Sequence, residues 1–341
     1  MRPRTTILLA ALAAVHVILL LAGFFAPYDP TTQDRDLTYA PPTRLHFYDD
    51  SGFHLRPFVY AWTNSAGDDE NAESYREDRS RKFPLSFMVC SSSYKLLGIL
   101  TTNLHFFGTT EPGKIMLFGS DGFGRDEFSR VLFGGQISVA AGIAAALIAL
   151  LVGGIFGVIS GYYGGWIDDC LMGLTELFLS LPWLYFLLGV RAFLPLHLTT
   201  LRTFFLLTGV IGLIGWTRPA RLVRGLVLSS RSRNYVLAAR GFGASHLYLL
   251  RRHIFPDLSG VLLTQASVLV PRYIGAEVTL SFFGLGVNEP VPSWGNMLST
   301  LQQYSVLVSY GWLLAPAAAL VVTSVLYSSL ADVIHSRLKS Q

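Results

Sequence analysis

Charge is scarce in this sequence: Asp, Glu, Lys and Arg together make up 14% of its 341 residues, where a soluble globular domain carries about a quarter. That shortage excludes a wholly soluble protein. Cysteine is scarcer still. Cys90 and Cys170 cannot build a disulfide framework, and neither has the spacing to histidine or cysteine of a metal knuckle. Also missing are a His-Glu-x-x-His pair, a nucleophile elbow and any clustered Cys/His set, so catalysis has no constellation to rest on. One segment imitates a phosphate loop: Gly108, Gly113 and Lys114 have its spacing. Ile115 stands where a Ser or Thr would hold Mg²⁺, and Pro112 removes an N–H from the cradle, so the match is coincidental. Asp68-Asp69-Glu70-Asn71 lacks the alternating oxygen ligands and turn glycine of a Ca²⁺ loop and reads as a solvated loop. The chain reads as no enzyme, with neither metal nor cofactor of its own.

What the sequence does have is apolar residues in long blocks, 51% of the chain in all. A membrane-spanning helix needs about 20 predominantly apolar residues. Six stretches qualify: Thr6 to Ala26, Ile137 to Tyr162, Cys170 to Val190, Leu201 to Trp216, Leu258 to Leu285 and Val308 to Ala331. The fold class expected is an all-α integral membrane protein. The first stretch follows Met-Arg-Pro-Arg and exceeds the about 7 to 15 apolar residues of a signal-peptide core, so residues 1–26 read as an uncleaved anchor with a cytoplasmic N-terminus.

The net charge of +4 marks cytoplasmic loops here and gives no reason to expect nucleic acid. Residues 218–256 carry eight arginines, whereas Asn288 to Ser305 has no Lys or Arg, and the tail 336–341 returns to the inside with Arg337 and Lys339. The positive-inside rule thus places both termini in the cytoplasm. Residues 27–136 hold 15 of the 22 acidic residues and 11 of the 26 basic ones. With their mixture of aromatics, Gly, Pro and Thr they read as a partly strand-rich external insert, and 137–335 as the core of five further spans.

Within the basic segment lies an apolar, helix-favouring run at Tyr235 to Ala239, then Gly241 to Ser245, then Leu247 to Leu250. Such a segment has apolar surface to bury. Physical chemistry alone leaves two partners open, the membrane lipid surface with arginines on phosphates, or another protein. Three ionisable residues fall inside apolar stretches, Glu176, Arg272 and Glu277, where a charge is expensive; they either line a path or pair between helices. Gly153, Gly157 and Gly161 form a small-residue ladder suited to close helix packing, and Pro271 and Pro316 are expected kinks.

Ala238-Ala239, then Gly243, then Pro256 resemble in spacing the EAA loop of permease subunits of ABC importers. Further motifs resemble the dipeptide/oligopeptide/nickel branch, specifically its C-type permease, in the right order over about residues 117 to 335. They are Gly119, Asp121, Gly124, Arg125, Asp126, Ser129 and Arg130; Gly161 to Asp168; Leu179 to Pro182; Trp216, Arg218, Arg221 and Arg224; Leu280 to Val287; and Pro292 to Leu298. The chain departs from that pattern at Leu237, where Glu is common, at His253, at Phe255, and at Gln136 and Gly173, where the branch often has Arg.

The resemblance implies six transmembrane helices of ABC importer permease type with an inserted extracytoplasmic domain between helices 1 and 2, in a bacterial inner membrane. It implies a short coupling helix seated in an ATPase, carried by Tyr235, Ala238, Ala239, Gly243, Ala244, Ser245 and Pro256. It also implies a second permease subunit, two ATPase subunits holding ATP and Mg²⁺, and an extracytoplasmic solute-binding protein delivering a peptide-like solute. On that expectation Glu176, Arg272 and Glu277 are candidates for the translocation path. The rival reading is an ion- or proton-coupled secondary transporter working without an ATPase, with Glu176 and Glu277 as coupling sites; a receptor-like anchor would need fewer spans.

Overall fold

The computed structural model describes residues 3–50, 52–66, 73–96, 98–193 and 199–338; Asp68 to Asn71 and Lys339 lie outside the described residues. The chain opens with α1 (Pro3–Leu20) and a single turn, α2 (Ala22–Phe25). Five strands follow: β1 (His46–Asp49), β2 (Gly52–Ala66), β3 (Glu73–Pro84), β4 (Ser86–Leu96) and β5 (Leu100–Gly108). Helices then take over as α3 (Glu127–Tyr163), α4 (Gly165–Ser180), α5 (Trp183–Phe193), α6 (Thr200–Gly215), α7 (Thr217–Arg231), α8 (Asn234–Gly241) and α9 (His246–Leu249). A π-turn at Leu250–Ile254 leads into α10 (Phe255–Phe282), followed by α11 (Trp294–Ser299), α12 (Tyr304–Ser309) and α13 (Ala315–Leu338).

Among the described residues, four helical runs are long and apolar enough to cross a membrane: Glu127–Tyr163, Arg202–Arg231, His246–Phe282 and Gly311–Ser336; Thr5–Leu20 is apolar but shorter. The boundaries differ from the sequence expectation for local reasons. The second apolar stretch becomes helical at Glu127, ahead of Ile137, because Asp126 caps it: its Oδ2 accepts from Ser129 N at 2.8 Å and Ser129 Oγ at 2.6 Å. Cys170 to Val190 is two helices. Pro182 disfavours helical backbone at the preceding residue and has no N–H to give, so Leu181 is extended at φ −74° and ψ 128°. The fourth stretch runs on through α7, making Arg218, Arg221, Arg224 and Arg231 helical and shortening the connecting loop. Its arginines suggested loop, but Ala220, Val223 and Val227 recur every three or four residues and bury one face.

The chain divides into two compact units, Met1–Leu12, Val139–Thr279 and Val322–Gln341 forming one, Ala13–Ser138 and Leu280–Val321 the other. In the first, the glycine ladder lets α3 lie directly on backbone. A Cβ on Gly153 would sit 2.5 Å from Trp216 O, one on Gly157 2.5 Å from Ala220 O, and one on Gly161 2.8 Å from Arg224 O. Val158, Val223, Val227, Ile254 and Leu258 fill the core beside that contact. Asp168, buried at the turn into α4, takes both Nε and Nη2 of Arg224, each at 2.5 Å, and also accepts from Ser160 Oγ. A planar guanidinium matched to a carboxylate in this way fixes orientation as well as distance.

In the second unit, β1, β2 and β3 form one antiparallel sheet in that order and β4 pairs with β5 in another. Phe58 faces Pro84 across the first sheet and Ser86 faces Gly108 across the second. Val59, Phe83, Leu85, Phe107 and Ile115 make the core, with Tyr28 and Phe128 packed against it. Lys114 of the phosphate-loop imitation is spent on Asp34, Nζ to Oδ2 2.5 Å.

Two of the sequence motifs, far apart in the chain, meet in this unit. Asp121 Oδ1 accepts from the backbone of Phe123 and Arg125 at 2.8 and 3.0 Å, and its Oδ2 accepts from Arg125 Nε at 2.7 Å. Arg125 then reaches Glu289 with both terminal nitrogens, at 2.6 and 3.2 Å, and Arg130 Nη2 joins it at 2.9 Å. Nearby, Trp294 donates Nε1 to Val131 O at 2.9 Å, and Ser293 and Asn296 close a capping box on α11. Burial works to raise the Glu289 carboxyl, but the hydrogen bond from Arg125 and the charges of both arginines outweigh it and hold it below its ordinary value. Asp126 goes the other way: burial pushes it up to about 7 against the hydrogen bonds from Ser129.

Candidate functional site

The apolar run in the basic segment folds as a helical hairpin. α8 begins after Arg233, its Val236 turned inward and 3% exposed. Gly243 ends the first arm with φ +82°, in the left-handed region where a side chain is strained and where a Cβ here would meet nothing within 4 Å. Ser245 starts α9 by accepting from Tyr248 N at 3.3 Å. Leu249 and Ile254 are buried on the return arm, and Pro256 falls in the first turn of α10, where its missing N–H is harmless.

The hairpin is closed at its base by Asp257. Its Oδ2 accepts from Ser230 Oγ at 3.0 Å and Tyr235 OH at 3.1 Å, with Arg233 Nη1 at 3.3 Å. Tyr162, near the end of α3, shares a 2.7 Å hydrogen bond with His246 Nδ1, and Arg231 donates to the carbonyls of Gly161 and Tyr162 at 2.9 and 3.0 Å. With its inner face spoken for, the hairpin presents apolar side chains outward: Phe242 is 93% exposed, Leu247 73%, and Leu237 and Tyr248 51% each. Ala238 and Ser245 are exposed beside them, while Ala239 and Ala244 are half-buried. The structure therefore brings all seven residues singled out for this segment into one hairpin. Asp257, which joins its two ends, was not legible in the sequence.

A second feature of the same unit is a cavity of about 370 Å³. It lies where α4 and α5 break, walled by Phe178, Leu187 and Ile211 and edged by Arg218 and Arg272. Tyr273 OH donates to Gly215 O at 3.2 Å and fixes one wall. Of the three ionisable residues that fall in apolar stretches of the sequence, the cavity takes Arg272 and neither glutamate. Glu176 is exposed on α4 with Arg221 Nη2 3.7 Å away, and Glu277 is buried on α10 outside the cavity lining. Arg218, part of the Trp216 motif, joins Arg272 there, a pairing that nothing in the local sequence announces.

Comparison with known proteins places this architecture. A family model described as binding-protein-dependent transport system inner membrane component matches residues 153–340. The oligopeptide transport system permease protein OppC of Escherichia coli (strain K12) is 41% identical over 215 residues, which cover 63% of this chain and 69% of the relative. Its namesake in Bacillus subtilis (strain 168) is 36% identical over 224 residues, 65% of this chain and 70% of the relative. The dipeptide transport system permease protein DppC of Bacillus subtilis (strain 168) is 36% identical over 216 residues, 63% and 65% of the two chains. The chain belongs to the binding-protein-dependent transport system inner membrane component family and is a multi-pass inner-membrane permease subunit of an ATP-driven importer, a transport component and not an enzyme.

Proposed function

We propose that this chain forms half of the transmembrane path for a peptide, paired with a second permease subunit and driven by two ATPase subunits seated on the hairpin 234–256. The observation that carries the reading is the outward apolar face of that hairpin: Phe242 and Leu247 stand in the open on a segment whose other face is packed and hydrogen-bonded. Exposed apolar residues on a rigid support are a docking surface. ATP and Mg²⁺ belong to the docked subunits, and this chain transmits their closure as a rigid body. Relatives named for oligopeptide and dipeptide transport support a peptide solute, delivered by an extracytoplasmic binding protein.

The membrane arrangement belongs to the same proposal. The crossings are α1, α3, the interrupted pair α4 and α5, α6 with α7, α9 with α10, and α13, six in all, with both termini cytoplasmic. The excess of arginine around the hairpin supports that orientation, as does the Tyr162 to His246 contact, which puts the end of α3 beside it. The strands between α2 and α3 then lie outside, as an insert contacting the binding protein or the partner permease. Arg272, with Glu176 and Glu277, remains the candidate set for the path.

The test is purification of the tagged chain from its native membrane in mild detergent. A second permease and active ATPases are expected to accompany it, and Phe242→Asp is expected to lose the ATPases while keeping the permease partner. An ATPase-free chain whose uptake follows a proton or sodium gradient overturns the reading in favour of a secondary transporter.

A further inference from the structure

Arg218 and Arg272 both line the cavity at the α4–α5 break, and among the described residues no acidic side chain lines it. Among the described residues neither Arg218 nor Arg272 has an ion pair; the arginine that pairs nearby is Arg221, with Glu176. Both arginines are exposed where they edge the cavity, and two like charges lining one site favour an anion there. Of the carboxylates on these helices, Glu176 lies 3.7 Å from Arg221, and Glu277 is not among the described residues that line the cavity. Guanidinium nitrogens are rigid forks that suit the two oxygens of a carboxylate or phosphate. The remaining walls are apolar, with the hydroxyls of Thr217 and Thr279 at the edge, and about 370 Å³ falls within the usual size of a small-molecule site.

We infer that the cavity bounded by Arg218 and Arg272 is an oxyanion site, and that its occupant is the C-terminal carboxylate of the transported peptide. The inference rests on the import reading and names the solute group that the path recognises. One arginine comes from α7 and the other from α10, so a bound carboxylate bridges two helices, and the apolar wall receives the neighbouring side chain of the solute.

The test uses the complex purified through this chain and reads the cavity's charge directly. Gly275 lines the cavity, and a Cβ there meets nothing within 4 Å. Gly275→Cys, with the exposed Cys90 and Cys170 changed to Ser, is labelled with an anionic and a cationic methanethiosulfonate reagent. Each rate is normalised to that reagent's rate with a small free thiol and is read by mass spectrometry on this chain's own peptide. The anionic reagent is expected to gain about ten-fold over the cationic one. Arg218→Gln or Arg272→Gln should bring the ratio towards one. Trialanine should slow labelling, and trialanine amide should not. A ratio near one in the parent, a ratio indifferent to both substitutions, or equal protection by the amide overturns the inference. So does protection seen only in nanodiscs containing phosphatidylglycerol and not in phosphatidylcholine alone, which would assign the oxyanion to a lipid headgroup. Co-purifying ATPase is scored on the same sample, so loss of the site with the ATPase present leaves the import reading standing.

Discussion

Gly157 and Gly154 occupy neighbouring turns of α3 and should respond differently to the same substitution. At Gly157 a Cβ would lie 2.5 Å from Ala220 O and 2.8 Å from Val223 Cβ, backbone and a branched side chain that have no room to retreat. Ordinary carbon-to-oxygen contacts begin at about 3.3 Å, so α3 and α7 must part by something under 1 Å. Overpacking of this kind costs about 1–3 kcal/mol. At Gly154 nothing lies within 4 Å, and the added methyl meets open space. Both substitutions to Ala gain the same helix-propensity term, about 1 kcal/mol. That term cancels in the comparison, leaving Gly157→Ala less stable than Gly154→Ala by about 1–3 kcal/mol. The assay is the unfolding midpoint of the purified complex on titration with a denaturing detergent, followed by near-ultraviolet circular dichroism. Gly154→Ala should move the midpoint up or leave it in place, and Gly157→Ala should lie below Gly154→Ala. Equal midpoints for the two would refute the claim that the ladder seats α3 on the backbone of α7.

Further outcomes follow from features elsewhere in the chain. Gly243→Trp places a bulky residue at φ +82°, a strain of about 1–2 kcal/mol at the hairpin tip; the protein should insert in the membrane and bind ATPase weakly, with ATP hydrolysis no longer stimulated by solute, and wild-type uptake would falsify the role given to that bend. Asp126, raised to about 7 by burial, holds a proton in the folded state that the unfolded chain releases near pH 4. Its contribution therefore makes stability fall as pH rises between those values and level off above 7. Glu289, held low by Arg125 and Arg130, contributes stability above the ordinary carboxylate range that is lost as pH drops through its lowered value. Asp126→Asn should lessen the slope of unfolding midpoint against pH between about 4 and 7; an unchanged slope would show that Asp126 is not among the groups titrating there.

The sequence discloses what is local and repeats. A glycine every fourth residue at 153, 157 and 161 predicts a close helix contact, and the carbonyls of Trp216, Ala220 and Arg224 are where that contact falls. The small residues and glycine bend of the hairpin are likewise readable as spacing, through their resemblance to a known loop. Helix ends were harder. The polar first turn of α3 looks like loop until Asp126 is seen to cap it, and the arginines of α7 mask a buried face one residue in three or four. Leu181 and Pro182 did carry the signal for a break, but hydropathy averaged over it. Partners distant in sequence left no trace at all: Arg125 and Glu289 are 164 residues apart, and nothing local pairs Arg218 with Arg272.

Asp257 has a mechanical consequence. By taking Ser230, Arg233 and Tyr235 onto one oxygen, it clasps the departing end of α7 to the starting end of α10, so the hairpin between them is a closed ring. A closed ring resists shear: a push on Phe242 at the tip is delivered to both legs together, with little of it absorbed in flexing the loop. Those legs are continuous helical rods, one carrying Arg218 and the other Arg272. From His246 to Arg272 the rod is about 39 Å long at 1.5 Å per residue, so a small tilt at the clasp is magnified where the two arginines stand. The spacing between the two cations is thereby geared to whatever presses on the tip.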